Sequence, residues 1–426
     1  VIQVMAETDG HPILPAMIET DIAVIGAGPA GLSLAAALAG SGLRVTLVER
    51  SPEAALAEPA FDGREIALTH RSQGILRQLG AWDRIPEEQR SPLRQARVQD
   101  GASPFALDFA PGPGAALGQL VPNHVIRRAL FDTVQEAGCA ELIAGVAVAT
   151  VATSPKGGVL TLADGREIRA RLVVAADTRF SEARRQMGIA ATQRDFGKTM
   201  LVARVAHEQP HHGIATEWFG HGQTVAMLPL SSAAAIHGLG PSASPHRGGA
   251  GEMSSIVLTL PPEQIEALMA ATPEDFAADA TRRTTQRWGA MRLAGTRHAY
   301  PLVATYAHRF VGTRFALLGD AAVGMLPVTA HGFNFGLVGA HRLAGEIRGA
   351  LARGRDIADP GALLRYEMAH RRATFPLFTA TNAIASLYTD DRAPARMLRG
   401  AVLRLGAALG PVRRLVTAQL MEARPA

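Results

Sequence analysis

Apolar residues run almost unbroken through DIAVI (21–25), stop at a Gly-rich bend, resume in PAGLSLAAALAGSG and return in RVTLVER (44–50). Short β-branched runs on either side of an Ala/Leu stretch that ends in Gly predict strand, helix, strand. That is one βαβ unit, which implies a parallel sheet with helices on its faces. SQGILRQLGAWDRI (72–85) reads as a helix stopped by Pro86, and HVIRRALFDTVQEAG (124–138) as a helix closed by its terminal Gly. From Val146 the texture changes to short alternating runs, VAVATVATS, GGVLTLADG and REIRARLVVAAD, with the Ala-Asp-Gly turn at 163–165 marking a hairpin. This character continues through TMLVARVA, ATEWFG, TVAMLPL and SSIVLTL. The tract 231–253, rich in Ser, Ala, Gly, Pro and His, reads as a mobile hairpin tip. Helical patterning returns at 262–290 and dominates from about Phe335 onward.

An α/β fold follows, in which a nucleotide-type sheet gives way to an antiparallel sheet and then to helices. With 426 residues the chain can hold two or three domains and a large core. A single cysteine, Cys139, excludes an internal disulfide and a thiolate-rich metal site, and no HExxH pattern is present, so no metal is expected. The net charge is +5, carried almost wholly by Arg, with Lys only at 156 and 198. These cations are scattered instead of gathered with aromatics on one element, which argues against a nucleic-acid partner. No stretch reaches the roughly 18 apolar residues of a membrane span, and the first residues lack a signal-peptide pattern. The expected location is cytoplasmic.

Four motifs carry chemistry. In GAGPAG, Gly26 permits a tight turn, Gly28 lets backbone approach a pyrophosphate, and Gly31 lets helix and strand pack closely. The helix N-terminus offers free N–H groups and a positive dipole to phosphates. Glu49 ends the next strand, where an acid binds ribose hydroxyls. FDGREIALTHRSQGILRQLGAW (61–82) contains Arg64, which alone reads as an ordinary loop cation. AADTRFSEARR places Asp177 at a strand end; an unpaired buried carboxylate is costly, so a nearby Arg partner is expected. In GDAAVGMLPVTAHGFNFG, a strand ends at Asp320, and a helix opens at Gly332-Phe333-Asn334 with its backbone free to face an electron-rich ring edge.

In this order, GxGxxG…E, DGREIALTHRS, ADxRxSxxR and GDAAxxxxPxxxxGxNxG resemble the class A flavin-dependent aromatic hydroxylases, from about Thr20 to Ala344. The resemblance implies a p-hydroxybenzoate-hydroxylase-like fold, with a GxGxxG βαβ FAD domain, a mostly antiparallel substrate domain and C-terminal helices. Within the class, REIALTHRSQGILRQLGAW, YPLVATYAHRF and YTDDRAPARMLRGAVLRLG look most like ubiquinone-biosynthesis hydroxylases. Departures include Val323 in place of a family His, Ala330-His331 in place of Gly-Gln, Thr178 in place of Gly, and Gly339 in place of Asp. These changes are similar to the UbiM-type subgroup, associated with hydroxylation of demethoxyubiquinol.

Position by position, the resemblance implies FAD contacts at Gly26, Gly28, Gly31, Glu49, Arg50, Arg64, Asn123, Arg127, Val146, Asp320, Pro327, Gly332, Phe333 and Asn334. NAD(P)H and dioxygen are the implied co-substrates, acting through a flavin 4a-hydroperoxide on a prenylated phenol or quinol. No metal enters. His331 is either a helix-start hydrogen-bonding residue or the acid/base candidate, and Glu217 and Trp218 are candidates to line the substrate cavity. The implied division is a loose extension at 1–17, an FAD-binding domain at 18–90, 121–190 and 310–350, a substrate domain at 91–120 and 191–309, and a helical region at 351–426.

From Arg396 to Leu409, Met397, Leu398, Ala401, Val402, Leu405 and Leu409 share one helical face and Arg396, Arg399 and Arg404 the other. Packing on the cofactor domain and peripheral attachment to the inner membrane both fit. Three functional readings stand side by side: ring hydroxylase of a ubiquinone precursor, FAD enzyme acting on another aromatic or a prenyl group, and non-catalytic flavoprotein of a quinone-synthesis assembly.

Overall fold

The computed structural model describes residues 17–101, 106–112, 114–220, 222–231, 252–326 and 331–389. Pro327, most of the tract 231–253 and the segment 396–409 lie outside the described residues.

Strand β1 (Met17–Ile25), helix α1 (Pro29–Ala37) and strand β2 (Val45–Glu49) form the expected unit, with β1 and β2 parallel and Ile22 opposite Val45. A short helix α2 (Ala54–Ala57) leads to β3 (Glu65–Leu68) and α3 (His70–Leu79). Helix α3 stops six residues before the expected end at Ile85, because Gly80 adopts φ +81 and turns the chain. Trp82 then sits between the guanidinium groups of Arg77 (4.8 Å) and Arg90 (4.6 Å). Next come β4 (Ser91–Leu93), β5 (Gln95–Asp100), β6 (Ala106–Phe109), β7 (Gly118–Pro122) and α4 (Asn123–Ala137), which Gly138 closes at φ +55.

Strand β8 (Glu141–Ala144) follows α4, and the run after Val146 gives β9 (Val148–Ser154), β10 (Gly157–Leu162) and β11 (Glu167–Ala175). The hairpin at 163–165 is present, with Leu160 opposite Ile168. Strand β11 also pairs in parallel with β1 along its length, so it belongs to the nucleotide-type sheet. After α5 (Glu182–Gln186) the chain enters the second sheet through β12 (Ala191–His207), β13 (Ile214–Gly220), β14 (Gln223–Leu230) and β15 (Glu252–Leu260). Helices α6 (Pro262–Ala270) and α7 (Pro273–Arg283) cover one side of that sheet. Strands β16 (Met291–Leu293), β17 (His298–Ala307), β18 (Val311–Gly312), β19 (Phe315–Leu317) and β20 (Val323–Gly324) precede the long helices α8 (His331–Ala352) and α9 (Pro360–Thr389).

The first sheet runs β18-β19-β11-β1-β2-β8, the second β20-β17-β12-β15-β14-β13-β5-β6, and β3-β7-β4 form a small bridge between them. The main core gathers the first sheet, α1, α4 and α8. A separate core lies between the second sheet and α6–α7. The two halves are joined by a buried ion pair, Arg204 of β12 with Glu65 of β3 at 2.7 Å.

Candidate active site

At the end of β1, Gly26 takes φ +102, and a Cβ there would stand 2.6 Å from the Ala176 carbonyl oxygen. A Cβ on Gly31 would lie 2.0 Å from the Gly26 carbonyl oxygen, so helix and turn touch without side chains between them. Gly28 differs: a Cβ there would meet nothing within 4 Å, and it starts α1 with no capping side chain and no acid in the first turn. The orphan N–H groups at this helix start therefore face open space. A phosphate fits there on chemistry and on shape alike.

Glu49 closes the loop. Its carboxylate accepts from the Ala27 N–H and the Ser51 N–H, each at 2.9 Å. Arg50 beside it is exposed, and the Val146 N–H donates to the Glu49 carbonyl oxygen at 3.2 Å. On the other flank, Gly319 (φ +60) lies against α1: a Cβ there would come 2.8 Å from Ala30 Cβ. This close approach seats the Asp320 loop beside the Gly-rich helix.

The third and fourth motifs prove to be one device. Arg179 donates to Asp320 Oδ2 at 3.0 Å and to the Val303 carbonyl oxygen at 2.7 Å. Arg184 donates to the Ala321 carbonyl oxygen at 2.9 Å. Both arginines thus hold the Asp320 loop. Arg184 is the expected cationic neighbour of Asp177, acting on it through charge without closing to an ion-pair contact. Burial raises the Asp177 pKa, and a hydrogen bond with Ser181 offsets this in part. A plain sequence sign for the clamp was absent, since Arg179 and Asp320 are 141 positions apart.

Asn334, in the first turn of α8, donates to the Ala67 carbonyl oxygen at 2.8 Å and accepts from the Thr69 N–H. Its side chain is thus engaged with β3 and the start of α3. His331 is buried there, with its ring 5.7 Å from that of Phe335. Phe333 packs against the main core. Val323, at the position of the family His, is buried in the main core.

Around the β3 end a second cluster forms. Asp62 accepts from Arg64 and from Asn123 Nδ2 (2.7 Å), and its carbonyl accepts from the Tyr300 hydroxyl (2.7 Å). Burial acts to raise the Asp62 pKa, but the Arg64 charge and these hydrogen bonds outweigh it and hold the carboxyl below its usual value. Arg64 also lies 5.4 Å from the Tyr300 ring, and Arg127 is half-buried nearby on α4. His124, next to Asn123, is pushed down to about 4 by burial and then by the Arg204 charge. Sequence reading missed the Arg204–Glu65 pair; the sign available was a charged residue inside the apolar run TMLVARVA.

The two cavity candidates part company. Trp218 points into the core under α6–α7 and donates from Nε1 to the Gly101 carbonyl oxygen at 2.7 Å. Glu217, one residue earlier, points to the opposite side of the sheet. The open cleft between α7 and β16 lies on the helix side of the second sheet and is no part of this site. Among the described residues no group of His, Cys, Asp and Glu could hold a metal ion, and no helix is long and apolar enough to cross a membrane.

Residues 19–376 match the family described as FAD binding domain. The chain is 43% identical over 409 residues to ubiquinone hydroxylase UbiM of Neisseria meningitidis, covering 95% of this chain and 85% of that protein. It is 33% identical to ubiquinone hydroxylase UbiL of Rhodospirillum rubrum, with 93% and 88% covered. In fold it is similar to p-nitrophenol 4-monooxygenase PnpA of Pseudomonas putida, with a TM-score of 0.71, 16% identity, and 96% and 100% of the chains covered. The open α1 start, the pinned glycines and the clamped Asp320 loop fit that assignment, and the chain belongs to the FAD-binding-domain family of flavin-dependent hydroxylases, in the group that includes the ubiquinone hydroxylases.

Proposed function

We propose that this chain hydroxylates the aromatic ring of a polyprenylated ubiquinone precursor, of the 5-demethoxyubiquinol type, using FAD, NAD(P)H and dioxygen. The observation that carries the reading is the convergence of three distant segments, Gly26–Gly31, Gly319–Asp320 and the start of α8, on one open cradle. FAD, when bound, supplies the hydride and oxygen chemistry. The α1 start would hold its pyrophosphate, and Glu49 would orient a ribose while its loop stays closed. The α8 start would set N–H groups against the electron-rich edge of the ring system. Asp320, held by Arg179, is the acceptor for a chain hydroxyl. His331 serves as a positioning residue at the helix start. The apolar side of the second sheet excludes water from the reacting ring.

A prenylated substrate resides in a bilayer, so we place the protein at the inner-membrane surface through 396–409. Removal of the residues after Asp391 is then expected to lower recovery with membranes while flavin stays bound; loss of both together favours packing.

The decisive test of function is expression in bacteria lacking individual ubiquinone ring hydroxylases, with quinones identified by mass spectrometry. Restored ubiquinone in one background fixes the ring position. A flavin-loaded protein that rescues no background overturns the reading in favour of another substrate or a non-catalytic role.

A further inference from the structure

Successive residues of a strand face opposite sides of the sheet, so the pairing registers sort the second sheet by face. Leu201, Val205, Trp218, Met227 and Leu258 lie in the core beneath α6 and α7. On the other side, Val202, Val257, Ala226, Glu217 and Val98 form one row, each directly paired with the next. This side looks toward the cofactor half: the Val202 carbonyl oxygen is 3.4 Å from where a Gly63 Cβ would stand, and Arg204 pairs with Glu65. Val98, Glu217, Ala226 and Val257 stay half-exposed, while Trp218, Met227 and Leu258 on the helix side are buried.

The row is therefore the floor of an open space, aliphatic except at Glu217. Three strand spacings put Glu217 about 14 Å along that floor from Val202. It lies deep among protein atoms yet touches the open space, and burial alone pushes its carboxyl up to about 8. The charged groups on the surrounding elements are Arg204 with Glu65, Arg97 with Asp108, Asp100 at the end of β5 and His298 on β17, and none of them offsets that burial.

A carboxyl on an aliphatic wall is costly unless it stays neutral and finds a hydrogen-bond partner in the working state. A hydrocarbon tail offers none. An aromatic head group with hydroxyl and ether oxygens does, because a neutral carboxyl both donates and accepts. We propose that Glu217 is the positioning residue for the oxygenated side of the aromatic ring, and so sets which ring carbon meets the flavin. This rests on the function proposed above.

The test uses the FAD-loaded protein and a short-tailed demethoxyubiquinol analogue, with binding read from flavin fluorescence between about pH 6 and about pH 9. Wild-type affinity should be level at low pH and fall toward tenfold per unit above about pH 8. Glu217→Gln, which keeps a donor and an acceptor, should bind within about threefold of the low-pH wild type and lack that fall. Glu217→Leu should bind about 10-fold to 100-fold more weakly than the low-pH wild type, level across the range, with KM raised more than kcat is lowered. A prenyl alcohol without the ring should not distinguish wild type from Glu217→Leu. Equal binding of the analogue by Glu217→Leu, or a persisting pH-dependent loss in Glu217→Gln, overturns the proposal. If leucine prevents folding, the glutamine variant decides alone. A wild type that ignores the analogue at every pH defeats the substrate reading itself, and the role of Glu217 falls with it.

Discussion

On the cofactor side, the carboxylates and the amide have protein partners: Glu49 holds two backbone amides, Asp320 an arginine, and Asn334 the backbone at Ala67 and Thr69. In the row from Val202 to Val98 on the facing side of the second sheet the neighbours are aliphatic, and burial is the sole influence resolved on its one carboxyl, Glu217. The first arrangement suits a resident ligand of fixed shape, held by groups locked in advance. The second suits a visitor that brings its own polar partner. Rigidity is concentrated where the ligand stays, and vacancy of hydrogen bonding where the ligand changes.

The contrast breaks most completely at Gly31. Gly31→Ala drives a methyl into the Gly26 carbonyl, 2.0 Å away, and should cost at least about 3 kcal/mol together with nearly all bound flavin. Gly28→Ala, with nothing within 4 Å, should fold as the wild type does while holding FAD about tenfold more weakly. Flavin absorbance per protein and thermal melts separate the two.

The joint between the halves comes next. Arg204→Leu strands Glu65 in a site where both side chains are at most 1% exposed, and should destabilise by about 3–5 kcal/mol in chemical denaturation. Replacing both residues by leucine should recover most of that loss; a double variant as unstable as the single one would refute the ion-pair account. Asp320→Asn should be milder, weakening FAD about tenfold with the fold intact, as titration of the apoprotein would read.

The last effect vanishes at neutral pH and shows only in acid. His370 is pushed down to about 3, by burial first and then by the charges of Arg342 and Arg71. Its folded value lies below its unfolded one, so it stays neutral in the folded state while the unfolded chain takes up a proton. Stability present above about pH 6.5 should therefore decline toward pH 3, by up to about 1.4 kcal/mol per unit. His370→Gln should flatten that slope in denaturation series; an unchanged slope would rule the group out as its source.

Much of the cradle was legible because its demands are local. The spacing of Gly26, Gly28 and Gly31 states which backbone must turn, open or touch, and the structure assigns those three roles to the same residues. The hairpin at 163–165 was legible for the same reason. What escaped reading depends on residues far apart in the chain. Nothing near Asp320 indicates that Arg179 will claim it, and nothing near Glu65 indicates Arg204. The end of α3 was misjudged because Trp82 and its neighbours suit a helix, whereas Gly80 had already turned the chain and two arginines hold the indole outside it.

The bond from Asn334 to Ala67 spans 267 positions. During synthesis the Gly-rich helix therefore leaves the ribosome long before the residues that finish the cradle. Nascent chains halted near residue 300 should take up no flavin, and uptake should begin only once α8 has emerged, as fluorescence of arrested ribosome complexes would reveal. Cofactor acquisition would then be a late event that reports on completed translation, and flavin taken up by the shorter chains would contradict it.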